Sequence, residues 1–267
     1  MYCAFDLEIA RPVTGTDWKQ DRPLGISCAA TINSDGELTI WHGQHDDLLQ
    51  FCDDAPLPNQ MNPREVHELA GYLLDQQAQG YTVLTWNGLS FDFDVLAEEC
   101  RNGLWAGDIA NLAMGHLDVG FQMVTEMGYM IGLNTAAQGL GVGQKTEGMH
   151  GDLAPLLWTG DLSSATDEQR AQIAALTIKP GTREAQNLCL EYVEQDARLT
   201  AAVYEALIKQ GYVYWTTARG TRSYHPWRPK IVDGRLLVVK KALETPEPDT
   251  SWMTAPRKRA EFYEWAQ

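Results

Sequence analysis

The sequence predicts an α/β domain on a mixed central sheet flanked by helices, followed by a small C-terminal β-rich extension. Three observations lead there. The first hundred residues alternate apolar strands with amphipathic helices in the order β-β-β-α-β-α, a pattern that layers helices on a sheet. The 267 residues are 44% hydrophobic, 21% charged and 9% aromatic, an ordinary globular composition that supports a sizeable core. After Gly211 the pattern changes to a basic, aromatic segment that suits short β pieces better than helix. The expected division is therefore residues 1–210 and 211–267.

Each element has a local reason. Tyr2 to Ala10 and Gly25 to Asn33 read as strands. Ser34-Asp35-Gly36 is a turn signal, so Glu37 to His42 returns as a third strand. Residues 43–62 are polar, with Pro56 and Pro58, and read as a connecting loop. Pro63 suits a helix start, Arg64 to Gln79 has apolar residues at helical spacing, and Gly80 ends the run. Thr82 to Trp86 is a short buried strand, and Phe91 to Arg101 a helix with Ser90 as candidate N-cap. From 104 to 176 the pattern is mainly helical, broken by glycines and Pro155. Glu184 to Gln210 is one long helix between Pro180-Gly181 and Gly211. From Glu244 a Pro-rich stretch reads as a surface tail, with room for a final short helix.

Several functional classes are excluded. Thirty-six acids against 21 Lys and Arg give a net charge of −15, so the surface as a whole does not attract polyanions. One local site is still open to nucleic acid if bound cations offset the charge. The five cysteines (Cys3, Cys28, Cys52, Cys100, Cys189) form no CxxC pair, which disfavours structural zinc and a disulfide framework. Reduced thiols in a cytoplasmic protein are the plain expectation. The start carries acids at Asp6 and Glu8 and no basic run, which argues against a signal peptide. No apolar run is long enough to span a membrane. The six histidines form no HExxH, and no P-loop is present. GLGVG at 139–143 lacks the context of a dinucleotide site and reads as a helix end.

Three acidic groups carry the chemistry. Asp6 and Glu8 lie two apart on the first strand and share a face with Tyr2, Ala4 and Ala10. They are either functional or the solvated acids of an edge strand. Asp92, in Trp86-Asn87-Gly88-Leu89-Ser90-Phe91-Asp92, opens a helix just after a strand. It is either functional or simply favoured by the helix dipole, and Asp94 has the same structural reading. Tyr192 and Asp196 are i and i+4 on the late helix and project from one face, while Glu191 and Glu194 read as surface. Four carboxylates converging at one sheet edge would raise each other's pKa values, a conflict that divalent cations remove. An all-oxygen set suits Mg²⁺ or Mn²⁺, and two such ions serve in-line displacement at a phosphodiester.

These groups resemble the three motifs of the DEDD superfamily of 3′–5′ exonucleases, which have a ribonuclease H-like fold. FDLEI is similar to the first motif, NGLSFD to the second in the form found in family B DNA polymerases, and YVEQDA to the third. His116-Leu117-Asp118-Val119 and LNTAAQGLGVGQKTEGMHGD are similar to the linking region of stand-alone members. The resemblance covers about residues 1–210. One branch of the family carries a histidine five residues before the last acid. Glu191 stands there, whereas Tyr192 fits the tyrosine (DEDDy) branch. The resemblance implies that Asp6, Glu8, Asp92 and Asp196 hold two Mg²⁺ or Mn²⁺ ions. It implies that Tyr192 orients the attacking water and that Glu8 contacts the terminal 3′ hydroxyl. Asn87 and Phe91 are candidates to position the terminal nucleotide, with a supporting role for Asn87 and a core role for Phe91 as the plainer readings. Asp118 reads as structural, with an outer role near the metals as the alternative.

Residues 211–241 hold seven Lys or Arg and one Asp, a local charge of +6. Arg219, Arg222, Arg228 and Lys230 are candidate phosphate contacts, with Tyr224 or Trp227 to stack on bases. The alternatives are aromatics packed on the core, and docking of a partner protein. The expectation is a metal-dependent 3′–5′ exonuclease that releases nucleoside 5′-monophosphates from single-stranded ends, DNA before RNA, with no membrane. The competing expectations are a catalytically silent adaptor of the same fold that binds nucleic acid or protein, and a phosphodiesterase for very short oligonucleotides.

Overall fold

A computed structural model describes residues 1–15, 17–45, 54–100, 105–217, 219–227 and 231–267. Strand β1 (Tyr2–Ile9) pairs antiparallel with β2 (Ile26–Asn33), which pairs antiparallel with β3 (Leu38–His42). On its other edge β1 pairs parallel with β4 (Thr82–Thr85), and β4 pairs parallel with β5 (Leu117–Asp118). The sheet order is β3-β2-β1-β4-β5, the mixed central sheet that the sequence predicts. Because β1 lies at the centre, the edge-strand reading of Asp6 and Glu8 does not hold. Strand β5 has only two residues, too short to leave a period-two pattern in a helical stretch.

Helices cover both faces. On one side α1 (Pro63–Ala78), α2 (Asp92–Glu99) and α3 (Ala106–Gly115) bury Leu69, Leu73, Phe93 and Leu112 against Phe5, Leu7 and Ile9. On the other side α8 (Arg183–Gln210) packs across β1 and β2, burying Val193, Ala197 and Val203 with Ala4, Ala30 and Leu84. The alternating pleat of β1 explains the two cores: odd positions feed one, even positions the other. Between them in sequence come α4 (Val119–Met127), α5 (Leu133–Leu140), α6 (Ala154–Thr159) and α7 (Asp167–Ala175). Asn62 and Glu65 form a capping box at the start of α1. Gly141 and Gly211 end α5 and α8 with positive φ.

One local expectation fails. Ser90 is not the N-cap of α2. It ends a 3-10 turn over Gly88–Ser90, and its hydroxyl donates to the Asn87 side chain at 2.8 Å. Phe91 takes the cap position without a side-chain bond, because the chain must turn there to bring Asp92 under β1. The end of the chain runs over the surface as expected and closes in short 3-10 turns, Arg259–Phe262 and Glu264–Ala266, but it is anchored. Phe262 is fully buried against Phe121, and Arg259 donates to the Thr125 carbonyl at 2.8 Å. A Pro-rich stretch hides such anchors because they depend on partners far away in sequence.

The last 57 residues begin with a hairpin, β6 (Tyr212–Thr216) and β7 (Arg222–Pro226), which packs on α5 and the end of α8. A one-turn helix, α9 (Val239–Ala242), then packs on α3 and α4. Cys3, Cys28, Cys100 and Cys189 are free and buried. Among the described residues no helix is long and apolar enough to cross a membrane.

Candidate active site

Strand β2 carries an extra residue, Ser27, opposite the Glu8–Ile9 step of β1, where the register of the pair shifts. The Ser27 hydroxyl contacts the carbonyls of Glu8 and Ile9 at 3.1 and 3.2 Å, so the irregular backbone is not left unsatisfied. Such a bulge re-aims the side chains beside it. Asp92, at the start of α2, accepts a hydrogen bond from the Leu7 backbone N–H at 3.0 Å. The second acidic group is thus tied directly to the strand that carries the first.

The loop before Asp92 is held from beneath. Asp118 accepts from the backbone N–H groups of Asn87, Leu89 and Phe121 at 2.8, 2.9 and 2.8 Å. It therefore caps α4 and fixes the loop together, which is the structural role. Asn87 has φ +69°, a left-handed conformation that is uncommon for a non-glycine residue. Trp265, near the chain end, donates to the Leu89 carbonyl at 2.7 Å and braces the same loop.

The three groups meet in one cleft of about 220 Å³, lined by the acids Asp6, Glu8, Asp92 and Asp196 with Tyr192 and Lys145. Trp86, Asn87 and Phe91 form part of its wall. Phe91 is half-buried and packs against the core that holds Phe93 and Leu96, its ring edge-on to Trp18 with centroids 5.1 Å apart. Asn87 reaches the cleft, and its side chain is held by Ser90. A larger cavity, of about 500 Å³ under the C-terminal tail, has one carboxylate in its lining, Glu247.

Sequence reasoning missed Lys145. Its ammonium bonds the Asp196 carboxylate and donates to the Tyr192 hydroxyl at 3.1 Å. The Lys145 backbone N–H is anchored by the Asn134 side chain at 2.9 Å. The available signal was weak: one lysine just beyond the glycines that end α5, with its partners some fifty residues away.

The electrostatics follow from burial and mutual repulsion. Burial, and then Asp92, Asp196 and Glu8, hold the Asp6 carboxyl well above the usual range. Glu8 is raised by burial and then by Asp196. Asp92 is pushed up to about 7 by burial, against the bond from Leu7 that lowers it. Asp196 is raised by burial, although Lys145 opposes the shift. Tyr192 is raised, first by burial and then by Glu8 and Asp196, so the phenol keeps its proton and is not available as a general base.

The donor set fits a hard divalent cation. All its atoms are oxygens, and Asp196 Oδ1 is buried without a hydrogen-bond partner. Among the described residues no group of three or more His, Cys, Asp or Glu side chains is placed to hold a metal ion as it stands. In this arrangement the Lys145 ammonium supplies the positive charge at Asp196.

The basic candidates lie elsewhere. Arg219 and Arg222 are exposed on the hairpin and do not line the cleft. Arg228 and Lys230 fall outside the described residues. Trp227 is fully buried and so unavailable for stacking, whereas Tyr224 is 64% exposed. Glu191 is exposed, and Glu194 pairs with Arg198 at 2.7 Å, both in keeping with surface roles.

No curated protein matches the sequence. Among solved structures, the chain is similar to the family B DNA polymerase from the hyperthermophilic archaeon Pyrobaculum calidifontis. The identity is 15% and the TM-score 0.47, over 78% of this chain and 24% of that one. The chain thus spans about a quarter of that polymerase. The family model of the RNase_H superfamily matches residues 56–208. That stretch runs from the loop before α1 through nearly all of α8, and includes Asp92, Tyr192 and Asp196 but not Asp6 and Glu8. With more than half of its length inside this one match, the chain belongs to the RNase_H superfamily.

Proposed function

We propose that this chain is a 3′–5′ exonuclease of the tyrosine (DEDDy) type, which removes nucleoside 5′-monophosphates from single-stranded ends, DNA before RNA. One observation carries the reading: four carboxylates from β1, α2 and α8 share a single cleft with a tyrosine and a lysine. A fold without catalytic use for them has no reason to collect mutually repelling acids in a buried place.

Asp6, Glu8, Asp92 and Asp196 would hold two Mg²⁺ or Mn²⁺ ions, which lower the pKa of a water and stabilise charge on the leaving oxygen when bound. The chain's own residues do the rest. Tyr192, its proton held tightly, orients the water through its hydroxyl rather than removing a proton. Lys145 fixes that hydroxyl and one oxygen of Asp196. Asn87, Phe91 and Trp86 supply a polar and aromatic wall for the terminal nucleotide. The preference for DNA rests on the resemblance of NGLSFD to a polymerase motif.

The test is a 5′-labelled single-stranded DNA and a matching RNA, each with Mn²⁺, Mg²⁺ or EDTA, beside Asp6→Ala. The expected result is a ladder that shortens from the 3′ end, requires the metal and is absent in the variant. Strand binding without cleavage points to the silent adaptor. Turnover that falls as the oligonucleotide lengthens points to the short-substrate phosphodiesterase.

A further inference from the structure

The β6–β7 hairpin has a face that the cleft does not use. Its register pairs Tyr212 with Pro226, Tyr214 with Tyr224 and Thr216 with Arg222. Alternation along the strands therefore sorts the side chains. Val213 and Trp215 are buried, while Tyr212, Tyr214, Arg222 and Tyr224 share the other face. The rings of Tyr212 and Tyr214 lie 4.9 Å apart, and those of Tyr214 and Tyr224 5.7 Å apart. The Arg222 guanidinium sits over the Tyr214 ring at 4.4 Å. Tyr224 is 64% exposed, one of four exposed large hydrophobic side chains among the described residues.

Charge selects the occupant. Residues 212–226 carry Arg219 and Arg222 and no acid, within a chain of net −15. A contiguous ladder of tyrosine rings with an arginine suits bases stacked on the rings and phosphates beside the cation. Stacking of this kind tolerates any base sequence, as removal of unselected ends requires.

We propose that Tyr212, Tyr214, Tyr224 and Arg222 form a stacking platform for the single strand upstream of its 3′ end. The proposal rests on reading the carboxylate cleft as the exonuclease site. Helix α8 sets the spacing. Asp196 lies within it and Tyr212 just beyond its end, and the stretch from Asp196 to Gln210 spans about 21 Å. A strand that occupies both places needs several nucleotides, so a trinucleotide in the cleft does not reach the hairpin.

The experiment uses the full chain and the double variant Tyr224→Ser, Arg222→Gln, both exposed positions, with an unchanged melting temperature as the folding control. Affinity for a long labelled oligo(dT) is read by anisotropy in EDTA. The ratio of kcat/KM for that strand over a trinucleotide is read with Mn²⁺. Both are expected to fall about tenfold in the variant. Values within about twofold of wild type, with cleavage intact, overturn the platform and leave the exonuclease standing. Cleavage of nothing by the wild type, with strand binding still weakened in the variant, supports the platform and removes the exonuclease. A wild type that binds no strand overturns the proposal and leaves the tyrosine face to a protein partner.

Discussion

Lys145 is the residue on which the cleft's charge balance turns. Asp6, Glu8, Asp92 and Asp196 are all shifted upward, and Lys145 is the cation that opposes the shift at Asp6, Glu8 and Asp196. Its side chain is 25% exposed and that of Asp196 only 5%. Removing one partner of a fully buried pair costs about 3–5 kcal/mol, and the partial exposure here reduces that to about 2 kcal/mol. Lys145→Met should therefore lower stability by about 2 kcal/mol in EDTA, and by less with Mn²⁺, because a bound cation supplies the lost charge. Denaturant melts in the two conditions measure it, and an equal loss in both would mean that the lysine and the cation do not share the site. Tyr192→Phe keeps the buried ring and removes the hydroxyl that Lys145 and Asp196 hold. A fall in kcat of about a hundredfold with little change in KM is expected if that hydroxyl orients the water.

At the scale of elements, the tightest approach at any described glycine is between α5 and β6. A Cβ on Gly139 would lie 1.5 Å from the Tyr214 carbonyl oxygen, which is backbone and cannot swing away. Gly139→Ala should force the helix and the hairpin apart at a cost of about 3 kcal/mol, read as a lowered urea midpoint. Since Lys145 follows α5 and is anchored on it through Asn134, activity should fall with stability. Gly107 is the contrasting case. It lies in α3, exposed, with nothing within 4 Å of an added Cβ and no unusual φ. Gly107→Ala should stabilise by about 0.5–1 kcal/mol, since it removes unfolded-state freedom at no steric cost.

For the whole molecule, the acid cluster sets how stability responds to pH and metal. A carboxylate raised in the folded state binds more protons there than in the unfolded chain, so its contribution is full at low pH and is lost as pH rises through the folded value. For Asp92 that window runs from its ordinary 3.8 to about 7. The metal-free protein should lose this contribution between those values, while a divalent cation competes with the protons and binds more tightly as pH rises. At a hundred times its dissociation constant, a cation adds about 2.7 kcal/mol. The gain in melting temperature from Mn²⁺ should grow from pH 5 to pH 8 in the wild type and largely vanish in Asp6→Ala. A gain that is independent of pH would place the ion away from these carboxylates.

The sequence by itself determined the first four strands, the helices α1, α2 and α8 and the three acidic groups, because each has a signature within a few residues. Pro63 and Gly80 bracket α1, alternation puts Asp6 and Glu8 on one face, and helical spacing joins Tyr192 to Asp196. What lacks such a signature stayed hidden. The two-residue β5 is too short for any period, and Phe91 takes the cap position because of where Asp92 must go. Only the tertiary structure decided that β1 is central, which turns two acids that a solvent-facing edge would have tolerated into a mutually repelling pair, with Glu8 buried and Asp6 half-buried. It alone brought Lys145 to Asp196, buried Trp227 while exposing Tyr224, and latched Trp265 to the loop before Asp92. These are contacts between residues far apart in the chain, and local chemistry carries no record of a partner that only folding supplies.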